Sequence, residues 1–121
     1  MLIRKLKNCP EIVAGDKTRL RELLHPGRDY TFPGRYSLAH ALVLPGQRTA
    51  KHQLKTSEIY YILTGSGEMH IDEESARVEA GDAIEIPPRS TQWISNIGTE
   101  NLEFLCIVDP AWQESDEIIL E

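Results

Sequence analysis

No run of apolar residues in this chain approaches the ~20 needed to cross a bilayer as a helix. Its first residues, Met1 to Lys7, alternate apolar with charged and form no continuous apolar segment of the signal-peptide kind. The cytoplasm is therefore the expected compartment. Basic clusters are missing as well: no block of Lys and Arg exceeds two residues, and the formal net charge is −6. That balance argues against a nucleic-acid surface. The two cysteines, Cys9 and Cys106, make no C-x-x-C pair, and no disulfide is expected between them. No low-complexity segment, strict repeat, phosphate-binding glycine loop, paired-carboxylate pattern or Ser/His/Asp arrangement is visible.

What is present fits one soluble domain. The 121 residues are enough for one core, and 40% hydrophobic with 26% charged residues is ordinary globular composition. Turn signals recur at short intervals: Pro26-Gly27, Pro33-Gly34, Pro45-Gly46, Gly65, residues 72–75, Gly81-Asp82, Pro87-Pro88 and Gly98. Short runs rich in Ile, Val, Leu and Tyr lie between them, which predicts an all-β sandwich or barrel.

Residues 67–72 alternate, with Met69 and Ile71 on one face and Glu68, His70 and Asp72 on the other. This predicts a half-buried strand whose hairpin partner is residues 76–80. Further strands are expected at 36–44, 57–63, 83–86, 91–96 and 103–108. The strand at 83–86 is stopped by Pro87-Pro88, because proline cannot donate to a ladder. Residues 18–24 have helical propensity, but an edge strand at 20–24 suits a small barrel better. Asp109 is a candidate helix cap, and the acidic tail 114–121 is expected to pack through Trp112 and residues 118–120. The run Ile59-Tyr60-Tyr61-Ile62-Leu63 is apolar on both faces, so its outer face needs cover, and a homodimer is expected.

Two spaced motifs carry chemistry. The first runs Gly46, five residues, His52, one residue, Leu54, three residues, Glu58, six residues, Gly65. The second runs Gly81, five residues, Pro87, one residue, Arg89, two residues, Gln92, three residues, Asn96. Together they resemble the two motifs of the cupin family, and the likeness extends loosely over residues 36–108. The resemblance implies a single domain, 1–121, folded as a double-stranded β-helix (jelly-roll) barrel. It also implies a divalent metal (Zn, Fe, Mn or Ni) held by His52, Glu58 and Gln92. Leu54 stands where the family has a second histidine, Gln92 where it has a third, and Arg89 where it has glycine. That last corner is expected to use another backbone conformation. Without a metal, the same three polar side chains would have to satisfy one another and water.

Strand parity with Glu58 points Tyr60 and Ile62 inward. Tyr60 is the candidate acid, or else a core aromatic with its hydroxyl tied to backbone. Phe104, Cys106 and Val108 are expected to form one pocket wall with Leu54, and Cys106 reads as a small hydrophobe. Ala39 and Ala41 should face the barrel, which leaves His40 outside at a subunit contact. His25 reads as a loop residue and His70 as solvated. The function implied is a metal-dependent enzyme acting on a small polar organic substrate, of dioxygenase, isomerase or lyase type. The alternatives are a non-catalytic small-molecule-binding barrel and an accessory subunit.

Overall fold

The computed structural model describes residues 1–121 and consists of eleven strands with two single 3₁₀ turns. The strands are β1 (Ile12–Val13), β2 (Arg19–Leu24), β3 (Ser37–Val43), β4 (His52–Leu54), β5 (Ser57–Thr64), β6 (Ser66–Ile71), β7 (Glu74–Glu79), β8 (Ala83–Ile86), β9 (Thr91–Asn96), β10 (Leu102–Asp109) and β11 (Glu117–Ile119). They form two antiparallel sheets, ordered β1-β2-β3-β10-β5-β8 and β11-β4-β9-β6-β7. This is the jelly-roll barrel implied by the motifs, with residues 20–24 extended rather than helical. No helix is long and apolar enough to cross a membrane.

The period-2 pattern decides which side chains enter the barrel. Along β5, Glu58, Tyr60 and Ile62 are buried while Ile59, Tyr61 and Leu63 are exposed. Along β10, Leu102, Phe104, Cys106 and Val108 are buried. The core gathers Val43, Ile62, Met69, Ile94, Leu102 and Phe104 between the sheets. Each such side chain contributes about 1.5–3 kcal/mol by leaving water.

Two corners show how the connections are built. Gly65, between β5 and β6, has φ +84°, and a β-carbon there would come within 2.6 Å of the Asn101 carbonyl oxygen. Only glycine fits that corner without displacing backbone. At the turn after Pro87-Pro88, Arg89 has φ +66°. The arginine itself takes a left-handed conformation, and its amide donates to the Leu54 carbonyl at 2.8 Å.

Two peripheral expectations need correction, and a third gains detail. Asp109 caps no helix; its carboxylate accepts two bonds from Arg35, at 2.7 and 3.2 Å. His25 lies in the loop after β2, as expected, and is buried there, with Nε2 2.7 Å from the Trp112 carbonyl and Nδ1 accepting from the Gly27 amide. His70 is half-buried, stacked on Trp93 at 4.2 Å and 2.8 Å from Glu68. In both cases an aromatic ring or turn close in space shelters an imidazole that its sequence neighbours alone leave open. His40 lies on the outer face with Leu38 and Leu42, yet is itself buried against Glu103, 3.1 Å away.

Candidate functional site

Sheet register brings the motif residues together. His52 on β4 stands directly opposite Gln92 on β9. Glu58 and Tyr60 enter from β5, opposite Val108 and Cys106 on β10. All of these except Val108 and Cys106 are polar, and every one is at least nine-tenths buried. Such groups must find hydrogen-bond partners, since an unpaired one costs about 1–3 kcal/mol.

They find them in a chain. The Tyr60 hydroxyl donates to Gln92 Oε1 at 3.0 Å, and Gln92 Nε2 donates to Glu58 Oε1 at 3.0 Å. The Tyr60 hydroxyl is thus tied to a side chain, not to backbone as its core-aromatic reading supposed. Its ring packs on Phe104 with centroids 4.5 Å apart. Burial pushes the Glu58 carboxyl up to about 8, only partly offset by the Gln92 bond, with the nearby Asp16 and Glu117 charges adding to the rise. Glu58 is therefore mostly protonated at neutral pH. Burial, then the Glu58 charge, also raises the Tyr60 phenol and the Cys106 thiol well above their ordinary values. Neither is a nucleophile in this setting.

A second polar group lies across from this chain. His52 Nδ1 sits 2.7 Å from the Ala50 carbonyl, an acceptor, so that nitrogen carries the proton. Its Nε2 then faces Asp16 Oδ2 at 3.5 Å. Asp16 belongs to the β1–β2 turn, where Oδ1 accepts the Thr18 amide at 3.0 Å and the backbone carbonyl accepts the Ala50 amide. Glu117 comes from the far end of the chain on β11, with Oε2 accepting from Trp112 Nε1 at 3.3 Å. Burial and the neighbouring Asp16 raise its carboxyl above the ordinary range.

His52, Glu58, Tyr60, Asp16 and Glu117 border a cavity of about 480 Å³, while Gln92, fully buried behind them, does not reach it. Its walls combine the polar side chains with Ile12, Leu20, Ala39, Cys106, Val108 and Trp112. Of the expected wall, Tyr60, Cys106 and Val108 reach the cavity, whereas Leu54, Ile62 and Phe104 do not. The reason is position along the barrel. The pairs Phe104–Ile62, Cys106–Tyr60 and Val108–Glu58 step from the closed core toward the open end, and Leu54 is buried beside β11. Asp16, Glu117 and Trp112 complete the site without any motif to announce them. An aspartate in a Gly15-Asp16-Lys17 turn and a glutamate in an acidic tail both look like solvated surface.

Whether His52, Glu58 and Gln92 suit a metal ion is a question of free lone pairs. Gln92 spends its carbonyl oxygen on Tyr60 and turns its N–H toward Glu58, so it offers a cation the wrong end of its amide. Leu54 offers nothing. No three His, Cys, Asp or Glu side chains converge closely enough to hold an ion. With the Gln92 amide engaged at both ends, only His52 Nε2 and one Glu58 oxygen are left without a hydrogen bond, too few donors as arranged for a metal centre.

Comparison with known proteins follows the fold. An uncharacterized protein of Methanocaldococcus jannaschii, MJ1618, is 43% identical over 111 residues, covering 90% of this chain and 86% of that protein. An oxalate-binding protein of Thermotoga maritima is 34% identical over 65 residues, 53% of this chain and 54% of the other. The solved structure of Bacillus subtilis oxalate decarboxylase, a protein with Mn(II) centres, superposes with a TM-score of 0.80 at 21% identity. That match covers 95% of this chain and 31% of the decarboxylase chain. The cupin domain family, Cupin_2, matches residues 39–108. With more than half of its length matched, and both sheets wound as the motifs require, the chain belongs to the cupin family.

Proposed function

We propose that this cupin is a small-molecule-binding barrel whose ligand is a partly apolar organic compound held by hydrogen bonds rather than through a metal ion. The observation that carries this reading is the Tyr60–Gln92–Glu58 chain at the edge of a 480 Å³ cavity. It commits the Gln92 oxygen a metal would need, yet leaves polar groups and apolar walls facing the same space. Concave, mostly apolar cavities with a few convergent polar groups are the usual form of a small-molecule site.

The metal-dependent enzyme implied by the motifs draws support from the Mn(II) centres of the oxalate decarboxylase, a likeness of fold. The local arrangement favours the binding barrel over it. Elemental analysis of untagged protein after dialysis against Mn, Fe, Zn and Ni separates the two. The binding barrel predicts well under one equivalent of any metal, in wild type and in His52→Ala alike. One equivalent in wild type that disappears in the variant would restore the metal enzyme. A homodimer formed through the outer face of the six-stranded sheet is part of the same proposal.

A further inference from the structure

The cavity's hydrogen-bonding groups are unevenly supplied, and the imbalance bears on what can occupy it. Consider the donors first. Tyr60 O–H is committed to Gln92, Gln92 N–H to Glu58, and Trp112 Nε1–H to Glu117. The two guanidinium groups in the wall are engaged as well. Arg28 makes a two-pronged pair with Glu22 at 2.6 and 2.9 Å. Arg4 donates to the Leu23 carbonyl at 2.7 Å and lies 4.0 Å over the Tyr30 ring. Arg28 is thus paired with a carboxylate, while Arg4 is held by a carbonyl and a ring and has no acidic partner.

Acceptors, by contrast, face one another. The His52 side chain is only 3% exposed, and its Nε2 makes no hydrogen bond. With the ring proton held on Nδ1 by the Ala50 carbonyl, the Nε2 lone pair looks across 3.5 Å at Asp16 Oδ2, another acceptor. Glu117 Oε1 borders the same turn: a β-carbon placed on Gly15 would lie 3.1 Å from it. A buried imidazole nitrogen and two carboxylates thus border one space.

We propose that the cavity binds an organic ammonium compound, with its N–H groups directed to Asp16, His52 Nε2 and Glu117 and a compact apolar body against Leu20, Val108 and Trp112. An ammonium presents three donors and one positive charge, which matches this group in both respects. Trp112 adds an aromatic surface to the same wall. The class differs from that of the oxalate-binding relative, since a dianion seated between Asp16 and Glu117 would meet two carboxylates. The inference rests on the metal-free binding reading above and refines it.

The test uses purified full-length protein at neutral pH and a set of probes of one shape: benzylamine, benzyl alcohol and benzoate, together with potassium oxalate and MnCl2. Binding is read by calorimetry and by thermal shift. Benzylamine is expected to bind about tenfold or more tightly than benzyl alcohol, a difference of about 1.4 kcal/mol. Benzoate and oxalate are expected to give no stabilisation. Glu117→Gln, a change on a short terminal strand that leaves the barrel core untouched, should remove most of the preference for the amine while retaining benzyl alcohol binding. Equal or tighter binding of benzyl alcohol or benzoate would overturn the ammonium assignment and leave the ligand-binding barrel standing. Stronger stabilisation by MnCl2 that benzylamine cannot add to would overturn both and point to a metal. Failure of every probe to bind would likewise overturn both.

Discussion

Arg89 holds a conformation that its side chain does not favour, at φ +66° with the side chain exposed. A non-glycine residue in this region carries a steric cost of about 1–2 kcal/mol, partly offset because glycine loses more chain entropy on folding. Arg89→Gly should therefore stabilise the protein by about 0.5–1 kcal/mol, read as a higher urea midpoint at unchanged slope. Glu58 supplies a second expectation, in the pH dependence. Its carboxyl is raised from 4.5 to about 8 on folding, so between those values the native state holds a proton that the unfolded chain has released. Its contribution is fully present below about pH 4.5 and is lost as the pH rises through about 8. Glu58→Gln keeps an acceptor for Gln92 and removes the titration. The variant should lose less stability than wild type between pH 5 and 8, by an amount of order 2–4 kcal/mol in urea unfolding. At this scale legibility divided by motif. His52, Glu58 and Gln92 stood out because their spacing is set by strand and corner geometry. Asp16 and Glu117 did not, because each reaches the cavity through a chain end that no local pattern places there.

The strand β11 is held at an edge of the smaller sheet by few contacts beyond its ladder. It pairs with β4 so that Glu117, Ile118 and Ile119 oppose Leu54, Gln53 and His52. Beyond it, Glu121 closes the tail with a two-pronged ion pair to Arg48, at 2.8 and 2.6 Å, and accepts the Lys51 amide. Those bonds hold the Glu121 carboxyl down at about 2. A depressed carboxyl contributes above its ordinary range, and the contribution is lost as the pH falls through about 2. Glu121→Gln should loosen this end first: the Leu120 amide, bonded to the Lys51 carbonyl, should exchange its hydrogen severalfold faster while the amides of β5 and β10 are unchanged. Exchange that accelerates uniformly would show that β11 has no independent opening. The tail's packing was legible only at Trp112: residues 118–120, expected to pack with it, are exposed. Its register was not legible, since a three-residue strand has too few positions for alternation to identify a partner.

Across the whole barrel, the outer face of the larger sheet carries an apolar surface interrupted by the His40–Glu103 pair. Leu105 and Ile107 on β10 form its middle, with Leu38 and Leu42 on β3 to one side and Ile59, Tyr61 and Leu63 on β5 to the other. Arg19 and Arg21 border it on β2, and Glu85 borders it on β8. A two-fold axis along β10 would lay β3 of one copy on β5 of the other and bring the arginine edge over the glutamate edge. A mass of twice the chain by light scattering is expected for the wild type. Tyr61→Glu should give monomer at micromolar concentration, since it places a charge within the apolar face. A wild type that is monomeric at every concentration would remove the dimer from the proposal. The two-sided apolar run of β5 made this face visible in the sequence. Its charged borders, which come from strands far apart in the chain, emerged only with the fold.

The family match spans residues 39–108, and Asp16, Trp112 and Glu117 all lie outside it. Chains that share the same barrel motifs can therefore differ at that part of the surface their ligands touch. Inheritance of the motif strands and inheritance of ligand choice are partly separable here: exchanging residues 10–24 and 110–121 between relatives is expected to alter selectivity while leaving residues 39–108 unaltered.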